Sequence, residues 1–447
     1  MKKDLTEGNI IKVMLLFAAP MILGNMLQQF YNITDTLIVG RALGTGALAA
    51  VGSAYTLMTF LTSILIGLCM GSGASFSYYF GKKDNFRLKN TMFLSFILIG
   101  VIALVLNGLV MFYLEEILVF LRTPQELMEM MKEYTQIVFM GIFFVFLYNY
   151  FAYVLRAIGN SVVPLYFLGS TALLNVVLDL IFVINFKWEI EGAALATVIS
   201  QAISGLGIAC YTWLKEPGLR FHKEEMVFSV KAVTEVVHRS FTASVQQSVM
   251  NFGILMVQGL VNSFGPVVMA AFTAGVKIDT LAYMPAQEFG NAFSLFISQN
   301  FGGGRNDRIR QGMKEAVKIS MLFCIVISFL VFWGARYLIA IFVGPGSEDI
   351  INTGAQYLQV EGIFYCGIGV LFLLYGFYRG VNRPGMSLLL TIISLGTRVI
   401  LAYSLAPVES IGVLAIWWAI PIGWFLADMT GILYMFLQKK KIFGDII

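Results

Sequence analysis

Four residues of this 447-residue chain have types and settings that point to ion chemistry: Asp35, Asn175, Asp179 and Thr197. Each sits inside a long apolar run. An ionised side chain there costs several kcal/mol and is a functional candidate by default. Carboxyl, amide and hydroxyl oxygens together suit Na⁺ or H⁺. Two desolvated carboxylates side by side cannot both stay ionised without a partner, so they must take a proton, a metal cation or a cationic substrate. Asn175 precedes Asp179 by four residues and shares its helix face. Gln28 and Asn32 fall on one polar face with Asp35, and Tyr31 lies one turn below it. The plainer alternative is that each acid is satisfied locally, capping a neighbouring helix.

Depth ties these residues together. At about 1.5 Å of rise per residue, Asp35 lies about 9 Å inside the end marked by Arg41. Asp179 lies six residues before Asn185–Phe186, and Thr197 six after Glu191. All three therefore share one level in the outer half of a membrane. Two acids and no basic residue at that level in the first half leave a site with net negative charge.

The elements that must hold them are transmembrane helices. The chain is 58% hydrophobic and only 13% charged, with a mean hydropathy of +0.80, more apolar surface than a soluble globule can hide. That excludes a cytosolic enzyme, a nucleic-acid binder and a disordered chain. Twelve apolar runs of bilayer-crossing length are expected as helices at roughly 10–40, 46–78, 91–114, 135–157, 162–185, 191–214, 239–263, 267–300, 312–334, 353–378, 384–405 and 411–437. Lys2 and Lys3 before the first run mimic a secretory leader, but the run is too long and Pro20 follows Ala18–Ala19, so it reads as the first span. Of 30 lysines and arginines, 23 fall on one side, including Lys2, Lys3, the 79–90 and 301–318 segments, the middle stretch and Lys439–Lys441. Five fall opposite: Arg41, Arg122, Lys132, Lys187 and Arg336. The positive-inside rule then places both termini in the cytoplasm of a multi-pass plasma-membrane protein, the expected partners being the lipid bilayer and small amphipathic molecules rather than nucleic acid, with a monomer expected.

The halves repeat at an offset of 221. FGKKDNFRLKN at 80–90 lies over FGGGRNDRIRQ at 301–311, and nine of 48 positions between 43–90 and 264–311 are identical. RAIGN at 156–160 answers RGVNRPG at 379–385. Six spans per copy leave both copies with one orientation, related by an axis along the membrane normal. The expected division is an N-terminal lobe at 1–218 that ends on Pro217–Gly218, a cytoplasmic linker at 219–238, and a C-terminal lobe at 239–447. The fold class is all-α, twelve helices in two pseudo-symmetric bundles, a transporter design.

The acids do not repeat: Asp35 falls over Met256 at the offset of 221, and Asp179 over Arg398 at 219. The second half instead has Lys277, Asp279 and Glu288 in the eighth span and Arg398 in the eleventh, which sum to zero and either pair or line a cavity. Lys277 and Glu288 are 11 residues apart, close to one helix face; Glu361 and Asp428, nearer span ends, are expected to be wet. Pro20 interrupts the first span and frees a carbonyl, and Gly67, Gly71 and Gly73 give the second a smooth packing face. Asn32–Ile33–Thr34 matches a glycosylation sequon but lies within a span. Cys69, Cys210, Cys324 and Cys366 are expected as small buried apolar groups, and His222 and His238 lack metal-site spacing. No GxxxxGK[ST], HExxH or GxSxG motif is present, so no ATP-driven motor, enzyme or cofactor is expected, and an ion gradient must supply the energy.

Taken in order, AAPMILGNMLQQFYNITDTLIVGRALG at 18–44, LRAIGNSVVP at 155–164, NVVLD at 175–179, EGAALATVISQ at 191–201 and the two FG-loops resemble the multidrug and toxic compound extrusion (MATE) family over nearly the whole chain. That resemblance implies a cation-coupled exporter of two lobes that alternate between outward- and inward-facing states. It implies a cation site at Asp35, Asn175, Asp179 and Thr197, with Na⁺ or H⁺ as the coupling ion. It also implies polar cavity residues at Gln28 and Asn149 and a bend at Pro20. Some members carry a C-lobe cation site with a glutamate in the seventh helix; the corresponding run SFTASVQQSVMNFGILMV has Gln246 and Gln247 and no acid, which puts the coupling on the N-lobe. A lipid-linked oligosaccharide flippase of the same superfamily is the nearest rival, and the acidic first half opposes the basic cleft it requires. A polytopic membrane enzyme is the rival of another class, and the short loops supply no catalytic cluster.

Overall fold

A computed structural model describes residues 4–120, 123–343 and 347–438. Lys2, Lys3, Arg122 and Lys439–Lys441, which contribute to the charge asymmetry, lie outside them. Among the described residues there is no strand. Helix α1 (Ile10–Gly44) and α2 (Gly46–Gly81) are divided at Gly44, whose φ of 88° only glycine adopts at little cost. Then come α3 (Asn85–Phe112), α4 (Gln125–Met140), α5 (Ile142–Ala157), α6 (Val162–Asp179), α7 (Glu189–Lys215) and α8 (Val230–Asn262). The second half continues with α9 (Pro266–Gly302), α10 (Asn306–Phe342), α11 (Glu348–Ile363), α12 (Tyr365–Gly380), α13 (Pro384–Leu405) and α14 (Leu414–Leu437).

Among the described residues nine helices are apolar and long enough to cross a membrane, and two bent pairs, α4–α5 and α11–α12, each qualify as one more span. The bends, 45° and 54°, fall at Gly141 and Phe364, equivalent points of the two repeats. The seventh expected span is helical within α8 but misses the same apolarity, because Thr242, Ser244, Gln246, Gln247, Ser248 and Asn251 crowd one stretch. Thr242, Ser244 and Gln246 are buried, so protein rather than lipid meets them.

The chain forms two compact units, one built on Leu23–Ser244, the other on Leu5–Ile22 with the chain from Val245 onward. Both divisions fall within the first helix of a repeat, 222 residues apart: α1 after Ile22, two residues beyond Pro20, and α8 after Ser244. Helix α1 runs unbroken through Pro20.

Within the first unit, α2 packs on α8 backbone to backbone. A Cβ on Gly67 would lie 2.5 Å from Ser244 Cα, and one on Gly71 2.5 Å from Arg239 O. The Ser72 and Ser240 hydroxyls bond at 2.7 Å, and Arg239 pairs with Glu235. An aromatic cluster of Phe76, Phe96, Phe146 and Tyr150 fills the core beside it. In the second unit Phe272 stacks on Trp417 at 5.6 Å and Tyr357 meets the same ring edge-on. Outward faces carry apolar side chains such as Phe112, Leu173, Tyr337 and Leu437. Cys210 shares such a face and is exposed, unlike buried Cys69 and Cys324. Lipid is as apolar as a core, so burial was not required of it.

The repeated FG-loops have a structural role. In the first unit Lys89 pairs with Glu225 at 2.9 Å, and Asn90 donates to the carbonyls of Glu225 (2.9 Å) and Val227 (2.7 Å). The Phe93 ring sits against Phe221 and Phe228. The strap leading into α8 is thus bound to the start of α3. In the second unit Leu5 is fully buried, its N–H donates to Gln299, and Arg308 donates to the carbonyls of Glu7 and Gly8. The strap leading into α1 is bound there to the second FG-loop.

Candidate functional site

The first unit brings together four residues from three helices. Asp35 projects from α1, Asn175 and Asp179 from α6, Thr197 from α7, and all four are buried, Asp179 completely. The Asp35 and Asp179 carboxyls are near enough to hydrogen-bond each other, and among the described residues no lysine or arginine acts on either. Two carboxylates cannot form that bond: a proton must be shared, or a cation must sit between them. In the amide orientation that satisfies both neighbours, Asn175 donates to Asp179 Oδ2 (2.9 Å) and accepts the Thr197 N–H (3.2 Å). One oxygen of each acid, Oδ1, is buried and has no hydrogen-bond partner among the described residues. Their oxygens, with the Thr197 hydroxyl, are the donors a proton or a small hard cation requires. Among the described residues no group of three or more His, Cys, Asp or Glu side chains forms a metal cage.

Local sequence explains the placement. Val162–Asp179 is a regular helix, but directly after Asp179 the span continues as a π-helical turn, Leu180–Asn185. Such turns widen the helix and re-aim side chains beside functional groups. The turn is closed by Phe182 stacking on Trp188 at 5.0 Å, while Gly192 lets α7 approach Phe182.

The surrounding polar residues divide. Tyr31 stands by Thr197 and both acids. Asn32 donates to the Tyr55 hydroxyl at 3.0 Å. Gln28 is exposed, and Asn149 donates to Val145 O within its own helix. Tyr134, buried on α4, reaches the same Thr197 and acid cluster, one position ahead of the apolar run that starts at 135. Tyr55 carries no periodic signal in the sequence.

In the second unit the four charged candidates have three different surroundings. Lys277 is exposed. Glu288 is buried, accepting a bond from Asn291 (3.0 Å) beside a small polar pocket of Gln246, Gln247, Gln287 and Arg379. The two are therefore not on one buried face. Asp279 and Arg398 line a cavity together with Glu361. Glu361 and Asp428 are buried rather than wet, with exposures of 1% and 9%. Counting residues from a span end ignores neighbouring helices: the bend at Phe364 tucks the last turn of α11 inward, and α12 covers Asp428 near Gly367. From Val245 onward, α8 supplies amides but no acid; the buried acids of the second unit come from α9, α11 and α14.

Comparison with known proteins agrees with this architecture. A family profile described as MatE matches residues 20–181 and 242–404, one match in each half. A probable multidrug resistance protein of Bacillus subtilis, YpnP, is 30% identical over 391 residues, covering 88% of this chain and 87% of its own. A probable multidrug resistance protein of Thermotoga maritima, NorM, is 23% identical over 93% of this chain and 89% of its own. A solved structure described as the outward-facing conformation of a multidrug resistance MATE family transporter superposes with a TM-score of 0.92 at 21% identity, covering 98% of each chain.

Proposed function

Because the chain belongs to the MatE family of membrane transporters, we propose that it expels amphipathic, often cationic compounds in exchange for Na⁺ or H⁺. It is a multi-pass membrane transporter, not an enzyme. The observation that carries the proposal is the buried Asp35–Asp179 pair, held by Asn175 and Thr197 and opposed by no basic group. A cation or proton entering this site neutralises it. The energy of the ion gradient then reaches the substrate only if the ion binds two conformations unequally. The break in donor–acceptor continuity at Pro20 supplies a place for α1 to bend as that neutralisation occurs. Gln28, Tyr31, Asn32 and Asn149 are assigned to the wall of the substrate path.

Both termini are assigned to the cytoplasm of a plasma-membrane protein working as a monomer, on the charge asymmetry of its loops. The flippase reading has no support from the Asp35–Asp179 cluster of the first unit, whose charge is acidic. The test is dye efflux by proteoliposomes with an imposed sodium or proton gradient. Asp35→Asn and Asp179→Asn are each expected to abolish gradient-driven efflux at normal expression, and retained efflux in both variants would overturn the assignment. Omitting sodium at fixed pH identifies the ion.

A further inference from the structure

The second unit contains a cavity for which the coupling mechanism has no use. Its wall is aromatic on most sides, with Phe272, Tyr283, Phe372, Tyr375 and Trp424 among the lining residues. Its charged groups are Asp279 from α9, Glu361 from α11 and Arg398 from α13. Asp279 and Glu361 are buried (5% and 1% exposed) and lie within hydrogen-bonding reach of each other. Each has one oxygen with no hydrogen-bond partner, as does Arg398 Nε. Arg398 is near enough to both acids to act on them electrostatically, yet among the described residues it forms no ion pair with either. A guanidinium and a carboxyl pair facing one cavity without closing on each other cost several kcal/mol in a membrane unless something completes them.

We propose that this chamber is a substrate site for planar aromatic zwitterions, whose ammonium group takes the Asp279–Glu361 pair and whose carboxylate takes Arg398. Charge balance favours that class over simple cations. With one proton held between the two acids, the chamber with Arg398 is neutral, and a zwitterion leaves it neutral. A bare inorganic cation meets the repulsion of a fixed guanidinium, which has no equivalent at the Asp35–Asp179 site. A purely anionic aromatic meets two acids. The ring stacks on the aromatic wall, and the guanidinium is the side chain best shaped to hold a carboxylate by two parallel hydrogen bonds. The proposal rests on the exporter reading only for the direction of transport, so it is tested by equilibrium binding, which can fail or succeed independently of ion coupling.

Tritiated tryptophan, tryptamine and indolepropionate carry one ring as zwitterion, cation and anion. Their saturable binding to the full chain in lipid nanodiscs is the measurement. Tryptophan is expected to bind at least about tenfold more tightly than either analogue, the effect of losing one charged contact. Arg398→Met is expected to reduce tryptophan affinity to that of tryptamine while leaving tryptamine unchanged or improved, and Arg398→Lys to keep a partial preference. No saturable tryptophan binding, or tryptamine binding as tight as tryptophan in the unaltered protein, overturns the proposal without recourse to any variant. An unchanged tryptophan affinity in Arg398→Met does so as well.

Discussion

Asn175 has a clear role at the scale of single residues. Its one amide meets a carboxylate and a backbone N–H, both buried, so it fixes Asp179 relative to α7. Replacement by leucine keeps the branched shape and heavy-atom count and strands both partners, at a cost of about 1–3 kcal/mol for each unsatisfied group. Asn175→Leu is therefore expected to weaken coupling-ion affinity by about tenfold or more, read as a shift in the sodium or pH dependence of efflux. Equal ion dependence in the variant would remove Asn175 from the site. Asn175, Asp179 and Thr197 were legible in the sequence because a polar residue in an apolar run has no other cheap explanation. Tyr134 was not, since a tyrosine at a span boundary is ordinary until the fold shows what its hydroxyl meets. Arg398 is legible in the sequence as a charge within a span, but its relation to Glu361 is not, because they lie on different helices.

Helices and loops set the next level. Gly71 lets the α2 and α8 backbones touch, so Gly71→Val is expected to destabilise the protein by about 1–3 kcal/mol or prevent its folding, since backbone cannot step aside. Gly52, on the same helix, has nothing within 4 Å of a built Cβ, and Gly52→Ala is expected to be neutral or stabilising by about 0.5–1 kcal/mol. Thermal melting in detergent separates the two; equal losses would mean that helix contact is not the cause. The strap ahead of α8 gives a pH prediction. Partial burial pushes the Glu225 carboxyl up, but hydrogen bonds from Lys89 and the His222 N–H outweigh it and hold it below its ordinary value near 4.5. A depressed carboxyl contributes stability above its unfolded value and loses it as pH falls through the folded one. Hydrogen exchange of residues 221–228, corrected for intrinsic rates, is expected to stay constant from neutral pH to about 5 and to rise only below about 4. Lys89→Met should abolish that dependence, and a rise already near neutral pH would place the control elsewhere. The spacing of apolar runs located most helices, but neither the bend at Phe364 nor the π turn after Asp179 has a sequence signature, because both are imposed by what packs alongside.

The whole molecule is governed by repetition and charge. Loop charges predict that a cysteine placed at Asp84 is labelled by a membrane-impermeant reagent only from the cytoplasmic side, and one at Trp188 only from outside. Labelling of both from one side would reverse or break the topology. Hydropathy, charge asymmetry and the 221-residue repeat were enough to specify a multi-pass helical protein in two similar halves, because lipid forces long apolar helices and short connections whatever the detailed packing. The sequence repeat does not coincide with the compact units, however: the first stretch of α1 joins the later half, and the first stretch of α8 joins the earlier one. Local periodicity records which face of a helix is apolar but not which bundle covers it. Only tertiary packing decided that exchange, the burial of Glu361, and the meeting of Arg398 with two acids across one cavity, because each depends on contacts between segments far apart in the chain.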